Sequence, residues 1–270
     1  MNAETALYGL IGHPVKHSLS PAMHNALFER HGINAVYLAF DVPPENLKAT
    51  LEGLRFLSRG FNVTMPHKTA VAELVDSLSK DSEELESVNT VINRNGKLVG
   101  YTTDGLGARR ALERAIELGG RKVLVIGAGG AGRAIAYELA KDNEVVVLNR
   151  TLEKAKLLER FGVSGERLNG ENLKKYVRWA EIVVNATSVG MNEERSVIPP
   201  ELLAGDKVVM DIVYHPLRTL LLRSAEERGC KTVDGLWMLV HQAVESFHLW
   251  TGITPDAEFM RRVALEGLGE

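Results

Sequence analysis

At 270 residues the chain is long enough for two domains with cores of their own, and a net charge of −3 gives no footing for nucleic acid or an anionic membrane as partner. The single cysteine, Cys230, excludes an intrachain disulfide and any multi-cysteine metal site. No apolar run reaches the ~18 residues of a membrane span, and the opening MNAETALYGLIG lacks a basic segment followed by a long apolar core, so a soluble, cytoplasmic protein is expected.

In chain order, residues 6–11 predict a first strand, closed by Gly12 and the loop HPVKHSLS. Ser20 before Pro21 reads as a helix start, hydroxyl at the N-cap and proline at N1, with the helix running to Gly32. A strand over 35–42 leads through Pro43 and Pro44 to a helix over 45–57. A third strand, 60–65, breaks at Pro66 and is followed by helices over 69–78 and 82–88. Asn95-Gly96 between 90–93 and 97–101 predicts a two-residue hairpin, so the sheet of this half is mixed. A helix over 105–118 ends at Gly119-Gly120.

The next thirty residues, KVLVIGAGGAGRAIAYELAKDNEVVVLNRT, carry the most specific local pattern. An apolar strand, 122–126, precedes Gly127, Gly129 and Gly132 in the spacing G-x-G-x-x-G, then a run of helix formers over 133–141 and a second apolar strand over 145–148. That is the βαβ unit that binds dinucleotides. The first glycine allows the tight turn, the second admits the pyrophosphate to backbone amides, and the third lets helix and sheet pack closely, with the anion at the helix N-terminus. An NAD-preferring unit usually ends its second strand in Asp or Glu. Here Asn149, Arg150 and Thr151 stand there, with Lys154 a turn later, a set suited to a 2′-phosphate and hence to NADP. Thr151 is also a candidate helix cap.

Beyond this unit a helix, strands over 181–186 and 207–213, a helix over 217–228 and a short strand over 231–233 complete a doubly wound sheet. Two final helices, 238–250 and 255–267, have no following strand and are expected to return to the first domain. The fold class expected is therefore α/β in two domains. Residues 1–104 with 238–270 form a mixed-sheet substrate domain, and residues 105–237 a Rossmann-type NADP-binding domain.

Ligands of open α/β sheets bind beyond the carboxyl ends of the strands. In the first half those ends carry Ser18 and Ser20 beside a helix N-terminus, where hydroxyls and amides would hold a small carboxylate, although Ser20 reads equally as a simple N-cap. They also carry Asn62, Thr64 and Lys68 of NVTMPHK, and Asp104. A lysine opening a helix opposes the dipole, which marks Lys68 as more than a surface lysine, and Asp104 could pair with it. His13 and His17 are separated by Pro14, and His241 and His248 lack a third ligand, so no metal is expected.

Taken together, GHPVKHSLSPAMHN, GFNVTMPHK, SVNTV, TTDG, GAGGAGRA, NRT, NATSVGM, DIVYHP and DGLWMLVHQA resemble the successive motifs of the shikimate dehydrogenase family, in its order and across nearly the whole chain. The resemblance implies that Ser18 and Ser20 bind the shikimate carboxylate, and that Thr64, Lys68, Asn89, Asp104, Tyr214 and Gln242 surround its ring hydroxyls. On the cofactor side it implies Gly127, Ala128, Gly129, Gly130 and Ala131, then Asn149, Arg150, Thr151 and Lys154, with Val213, Gly235 and Met238 near the nicotinamide. It further implies a homodimer and a place in chorismate and aromatic amino acid biosynthesis. Two departures from the family pattern stand out: Thr102 replaces the amide of G-x-N-T-D, and Trp237 occupies a position where a small residue is common and would make the cofactor-side loop bulkier.

The implied reaction is the reversible NADPH-dependent reduction of 3-dehydroshikimate, with Lys68 as proton donor and acceptor and Asp104 orienting it. The rivals are a quinate/shikimate dehydrogenase using NAD, against which Arg150 argues, and a non-catalytic dinucleotide sensor, against which Lys68 and Asp104 argue. A folate-acting two-domain dehydrogenase is more remote, having no need of Ser18 and Ser20.

Overall fold

A computed structural model describes residues 1–269. The chain forms two compact units, Met1–Thr103 with Ala243–Glu270, and Asp104–Gln242. The second crossing lies five residues later than the 237/238 boundary read from the sequence, inside a continuous helix.

The first unit contains β1 (Ala6–Gly12), α1 (Ser20–Arg30), β2 (Ala35–Asp41), α2 (Leu47–Leu57), β3 (Ser58–Val63), α3 (Lys68–Leu74), β4 (Ser77–Leu78), α4 (Lys80–Leu85), β5 (Thr90–Arg94) and β6 (Lys97–Tyr101). Its sheet runs β2-β1-β3-β5-β6-β4, with β1 parallel to β2 and β3, and β5 antiparallel to β3 and β6. The predicted hairpin is present, with Asn95 and Gly96 both at positive φ as a primed turn requires. The predicted helix over 69–78 instead stops at Leu74. Val75 is extended, and the Asp76 carboxylate accepts the Leu98 N–H at 2.6 Å, which pulls Ser77–Leu78 into the sheet as a short edge strand beside β6.

One face of this sheet is an apolar core that includes Ile11, Leu51, Phe61, Val71 and Leu98. The aromatic rings of Tyr8, Phe28, Tyr37, Phe247 and Trp250 form a second cluster with His24. Trp250 donates its indole N–H to Val91 O at 3.0 Å, and a Cβ on Gly60 would stand 2.5 Å from that same nitrogen. The absence of a side chain at Gly60 is what lets the last helices cover this sheet.

The second unit contains α5 (Asp104–Glu113), β7 (Lys122–Ile126), α6 (Gly130–Leu139), β8 (Glu144–Asn149), α7 (Leu152–Lys156), β9 (Ser164–Arg167), α8 (Gly170–Trp179), β10 (Ile182–Asn185), β11 (Val208–Asp211), α9 (Leu220–Glu227) and β12 (Lys231–Val233). The helix α10 (Gly235–Thr251) begins here and ends in the first unit, to which α11 (Ala257–Leu268) also belongs. All six strands are parallel, in the order β12-β11-β10-β7-β8-β9, the doubly wound arrangement with its topological switch between β7 and β10. Both faces are covered: Val123 and Val125 of β7 enter one core, Leu124 and Ile126 the other.

Strand β9 has no counterpart in the sequence reading. Ser-Gly-Glu-Arg offers no apolar run, and it pairs only at the sheet edge; Gly165 fits there because a Cβ would lie 2.5 Å from the Ala155 backbone of α7.

Candidate functional site

In the first unit the residues singled out by sequence stand at the carboxyl ends of β1 and β3 and, because β5 runs antiparallel to β3, at the amino end of β5. The N-cap reading of Ser20 is overturned. Ser20 lies inside α1, buried, and Leu19 at the N-cap makes no side-chain cap bond. It is Ser18 that caps, accepting the Ser20 N–H on Oγ at 3.2 Å. The Ser20 hydroxyl is instead at the Tyr37 phenol, where it opposes the upward push that burial gives the phenol's pKa.

Thr64 follows β3, and a Cβ on Gly12 would lie 2.3 Å from its methyl group, so Gly12 is the space into which Thr64 packs. Lys68 opens α3. Its carbonyl accepts the Val88 N–H at 3.0 Å, and the preceding His67, 2% exposed, donates from Nε2 to Val42 O at 2.7 Å. The backbone that carries the ammonium is thus tied to residues beside two other elements.

Asn89, 3% exposed, is held by its surroundings in one orientation. Its Oδ1 accepts the Thr103 N–H at 2.9 Å and the Thr90 hydroxyl at 3.0 Å, which turns Nδ2 toward Thr103 Oγ1 at 3.0 Å. The segment before Asp104 is therefore supported through Thr103. The Thr102 hydroxyl, the departure from the family pattern, lends no support: its oxygen is buried with no hydrogen-bond partner among the described residues.

In the second unit Asp104 is the first residue of α5 and nearly buried, an anion at the favourable end of the helix dipole. The glycines beside it explain the motif TTDGLG. A Cβ on Gly105 would meet Ala134 O of α6 at 2.5 Å, and one on Gly107 would meet the Gln242 backbone of α10 at 2.8 Å. Two residues apart, they face two different helices, and the second sets Gln242 against α5. The Gln242 amide also donates to Leu239 O at 2.9 Å.

Gly235 opens α10 against β11, since a Cβ there would lie 2.3 Å from Ile212 O. Val213 is held by its N–H, which Asp211 Oδ1 accepts at 3.1 Å; Met238 is buried, and burial pushes the Tyr214 phenol upward. Trp237 does not enlarge a loop. It sits in the first turn of α10, packed on the core of this unit, with the Arg114 guanidinium 3.4 Å above its ring centroid and His241 stacked on the ring at 5.7 Å. Cation–π attraction and apolar cover account for its size.

The glycine turn fits a dinucleotide. Gly127 has φ +110°, and a Cβ on Gly132 would lie 2.1 Å from Gly127 O, whereas Gly129 and Gly130 face open space. Gly129 is the N-cap of α6 and supplies no side-chain cap, which leaves the first amides of a ten-residue helix for an anion. Ala128 and Ala131 flank them. The Asn149 carboxamide accepts the Ala128 N–H at 3.1 Å and donates to Thr151 O at 2.9 Å, tying the turn to the end of β8. Thr151 makes no cap bond to α7, so the capping reading of its hydroxyl is not realised. Arg150 and Thr151 are exposed at the strand end, with Lys154 on α7. Among the described residues no cluster of His, Cys, Asp and Glu could hold a metal ion.

Three family models match the chain: the shikimate dehydrogenase substrate binding domain over residues 10–91, shikimate / quinate 5-dehydrogenase over 108–195, and the shikimate 5'-dehydrogenase C-terminal domain over 235–265. The shikimate dehydrogenase (NADP(+)) of Thermococcus kodakarensis is 67% identical over 270 residues, covering 100% of this chain and 99% of that one. The chain belongs to the shikimate dehydrogenase family. Solved shikimate dehydrogenases share its fold. One crystallised in complex with NADP+ has a TM-score of 0.91 at 43% identity, covering 98% of this chain and 96% of the other. The Thermus thermophilus enzyme in complex with NADP(H) and shikimate also has a TM-score of 0.91, at 40% identity, covering 97% and 100%.

Sequence reasoning missed Tyr37, Ser246 and Gly107 as parts of this arrangement. The glycines of TTDGLG carried a visible signal, since two glycines inside a helix cost stability unless close packing requires them.

Proposed function

We propose that this protein catalyses the reversible NADPH-dependent reduction of 3-dehydroshikimate to shikimate. Full-length identity of 67% with an NADP-dependent shikimate dehydrogenase carries the reading. The positive end of β8, with Arg150 and Lys154 and no carboxylate at the ribose position, supports NADP over NAD.

NADPH, when bound, supplies the hydride that reduces the ring carbonyl. The chain's own residues do the rest. Ser18 and Ser20 bind the substrate carboxylate; Thr64 and Asn89 hold ring hydroxyls, with Asp104, Tyr214 and Gln242 as further contacts. Lys68 gives its proton to the carbonyl oxygen as that oxygen gains charge, and takes it back in the oxidative direction. The anchoring of α3 through His67 and the Lys68 carbonyl fixes where the ammonium begins, which is what a proton donor needs to act at one atom. Gly127 through Ala131 and the N-terminus of α6 hold the pyrophosphate, Asn149 keeps that turn in place, Arg150, Thr151 and Lys154 take the 2′-phosphate, and Val213, Gly235 and Met238 flank the nicotinamide. The assembly proposed is a homodimer in the cytoplasm, serving chorismate and aromatic amino acid biosynthesis; no described helix is long and apolar enough to cross a membrane.

The test is loss of reduced-cofactor absorbance with 3-dehydroshikimate, run with NADPH and with NADH, and the reverse reaction with shikimate and with quinate. Turnover selective for NADPH and shikimate is expected. NADPH binding without turnover would instead identify a sensor, and a preference for quinate and NAD would reassign the substrate.

A further inference from the structure

We propose that Tyr37 is a positioning residue for the substrate: its hydroxyl orients the Asn62 carboxamide and, through Thr90, the side chain of Asn89. The inference rests on the proposed shikimate-binding role of Asn89.

Tyr37 is fully buried on the edge strand β2 and is fixed from three sides. The Asn25 carboxamide of α1 accepts its backbone N–H at 2.8 Å and donates to its carbonyl at 2.9 Å, taking the place of a neighbouring strand. The His24 ring stacks on the phenol at 4.6 Å and 17°. The hydroxyl at the end of so constrained a ring meets the Ser20 hydroxyl and donates its own proton to Asn62 Oδ1 at 2.8 Å.

From there each donor is assigned. A carbonyl oxygen only accepts, so the phenolic proton lies on Asn62 Oδ1. The Asn62 amide consequently faces the opposite way, with Nδ2 3.1 Å from Asn89 O and 3.0 Å from both Thr90 Oγ1 and Ser246 Oγ. Thr90 Oγ1 accepts on that side, and its own proton goes to Asn89 Oδ1 at 3.0 Å; Ser246, 2.8 Å from Thr90 Oγ1, is then the donor of that pair. Asn89 Oδ1, already receiving the Thr103 N–H, is committed as acceptor, and its amide nitrogen is turned to the other side. Reversing Asn62 would set its oxygen against the Asn89 carbonyl, two acceptors face to face. Removing the Tyr37 hydroxyl leaves Asn62 Oδ1, 5% exposed as a residue, without the donor that holds it, and the orientation of Asn89 loses its anchor.

The test compares Tyr37→Phe with Tyr8→Phe. Tyr8 lies in the same unit, 8% exposed and packed against Phe28 and Trp250 at 5.1 Å, but outside this chain of bonds. Tyr37→Phe should raise the KM and the calorimetric Kd for shikimate by ~5- to 30-fold, with kcat within about threefold and the KM for NADP unchanged. Tyr8→Phe should leave all four alone. A shikimate KM within twofold of the parent for Tyr37→Phe, or equal shifts in both variants, would overturn the proposal. Because Tyr37→Phe also takes the phenol from Ser20, Ser246→Ala, which removes the donor to Thr90 and leaves that contact in place, must reproduce the rise in shikimate KM, its absence being equally fatal. A parent enzyme that binds NADP but neither binds nor oxidises shikimate would count against the proposed function itself and is told apart by that control.

Discussion

Asn185 Nδ2 donates to Asp211 Oδ1 at 2.9 Å across the carboxyl ends of the adjacent strands β10 and β11. Asp211 is fully buried, and although it also accepts from Thr219 Oγ1 at 2.7 Å and from the Val213 N–H, burial raises its pKa to about 6. The folded state therefore holds this proton more tightly than the unfolded chain, where the pKa is near 3.8. The stability it contributes is full below pH ~4 and is lost as pH rises to ~6, a change of about 3 kcal/mol at most. In Asp211→Asn the new amide can donate to Thr219, whose hydroxyl turns to accept, and the other bonds survive. Denaturant unfolding should show the variant more stable than the parent by about 1–3 kcal/mol at pH 8, and no such gain at pH 4. A constant difference across that range would remove Asp211 as its source.

Gly132→Ala and Gly129→Ala should separate folding from binding. A methyl at 132 meets the Gly127 carbonyl at 2.1 Å, a backbone atom that cannot yield, so a loss of about 2–4 kcal/mol in stability is expected. A methyl at 129 meets nothing within 4 Å, and the backbone φ is −75°. Its stability should stay within about 0.5 kcal/mol of the parent while NADP affinity falls ~10-fold or more, as the pyrophosphate loses its close approach. Thermal unfolding with and without NADP reads both effects.

Lys68→Ala should lower kcat by ~10²- to 10⁴-fold with a far smaller change in shikimate Kd, because the proton is needed only as the carbonyl oxygen gains charge. Single-turnover measurement of hydride transfer checks that the loss is in chemistry. Near-native turnover would remove Lys68 from the mechanism.

Arg150→Ala should raise the KM for NADPH by ~10-fold or more and leave that for NADH within about twofold, since only the former brings a 2′-phosphate to the end of β8. Equal effects on both cofactors would place Arg150 elsewhere in binding.

The parts of this fold most legible in the sequence are those where one local pattern has one structural outcome. The apolar strands β7 and β8 around the spaced glycines, and the Asn95-Gly96 hairpin, are of this kind. Elements decided by distant partners were not legible. Strand β9 exists because β8 offers an edge and α7 a backbone to lie on, and α3 ends early because Asp76 is claimed by Leu98. Ser20 has the local signature of a cap, yet its side chain is drawn to Tyr37 while Ser18 takes over the capping. Asn62 stood out in NVTMPHK only as one polar residue among three. Its bonds reach residues as far as 184 positions away, which no spacing rule can register.

The first unit draws its final layer from the far end of the polypeptide: Trp250 seals Gly60, Ser246 bonds Asn62, and α11 lies on α1. On the ribosome these residues emerge after every strand of the second unit. The amino-terminal half must therefore wait, with an aromatic face bare, while the later half completes itself.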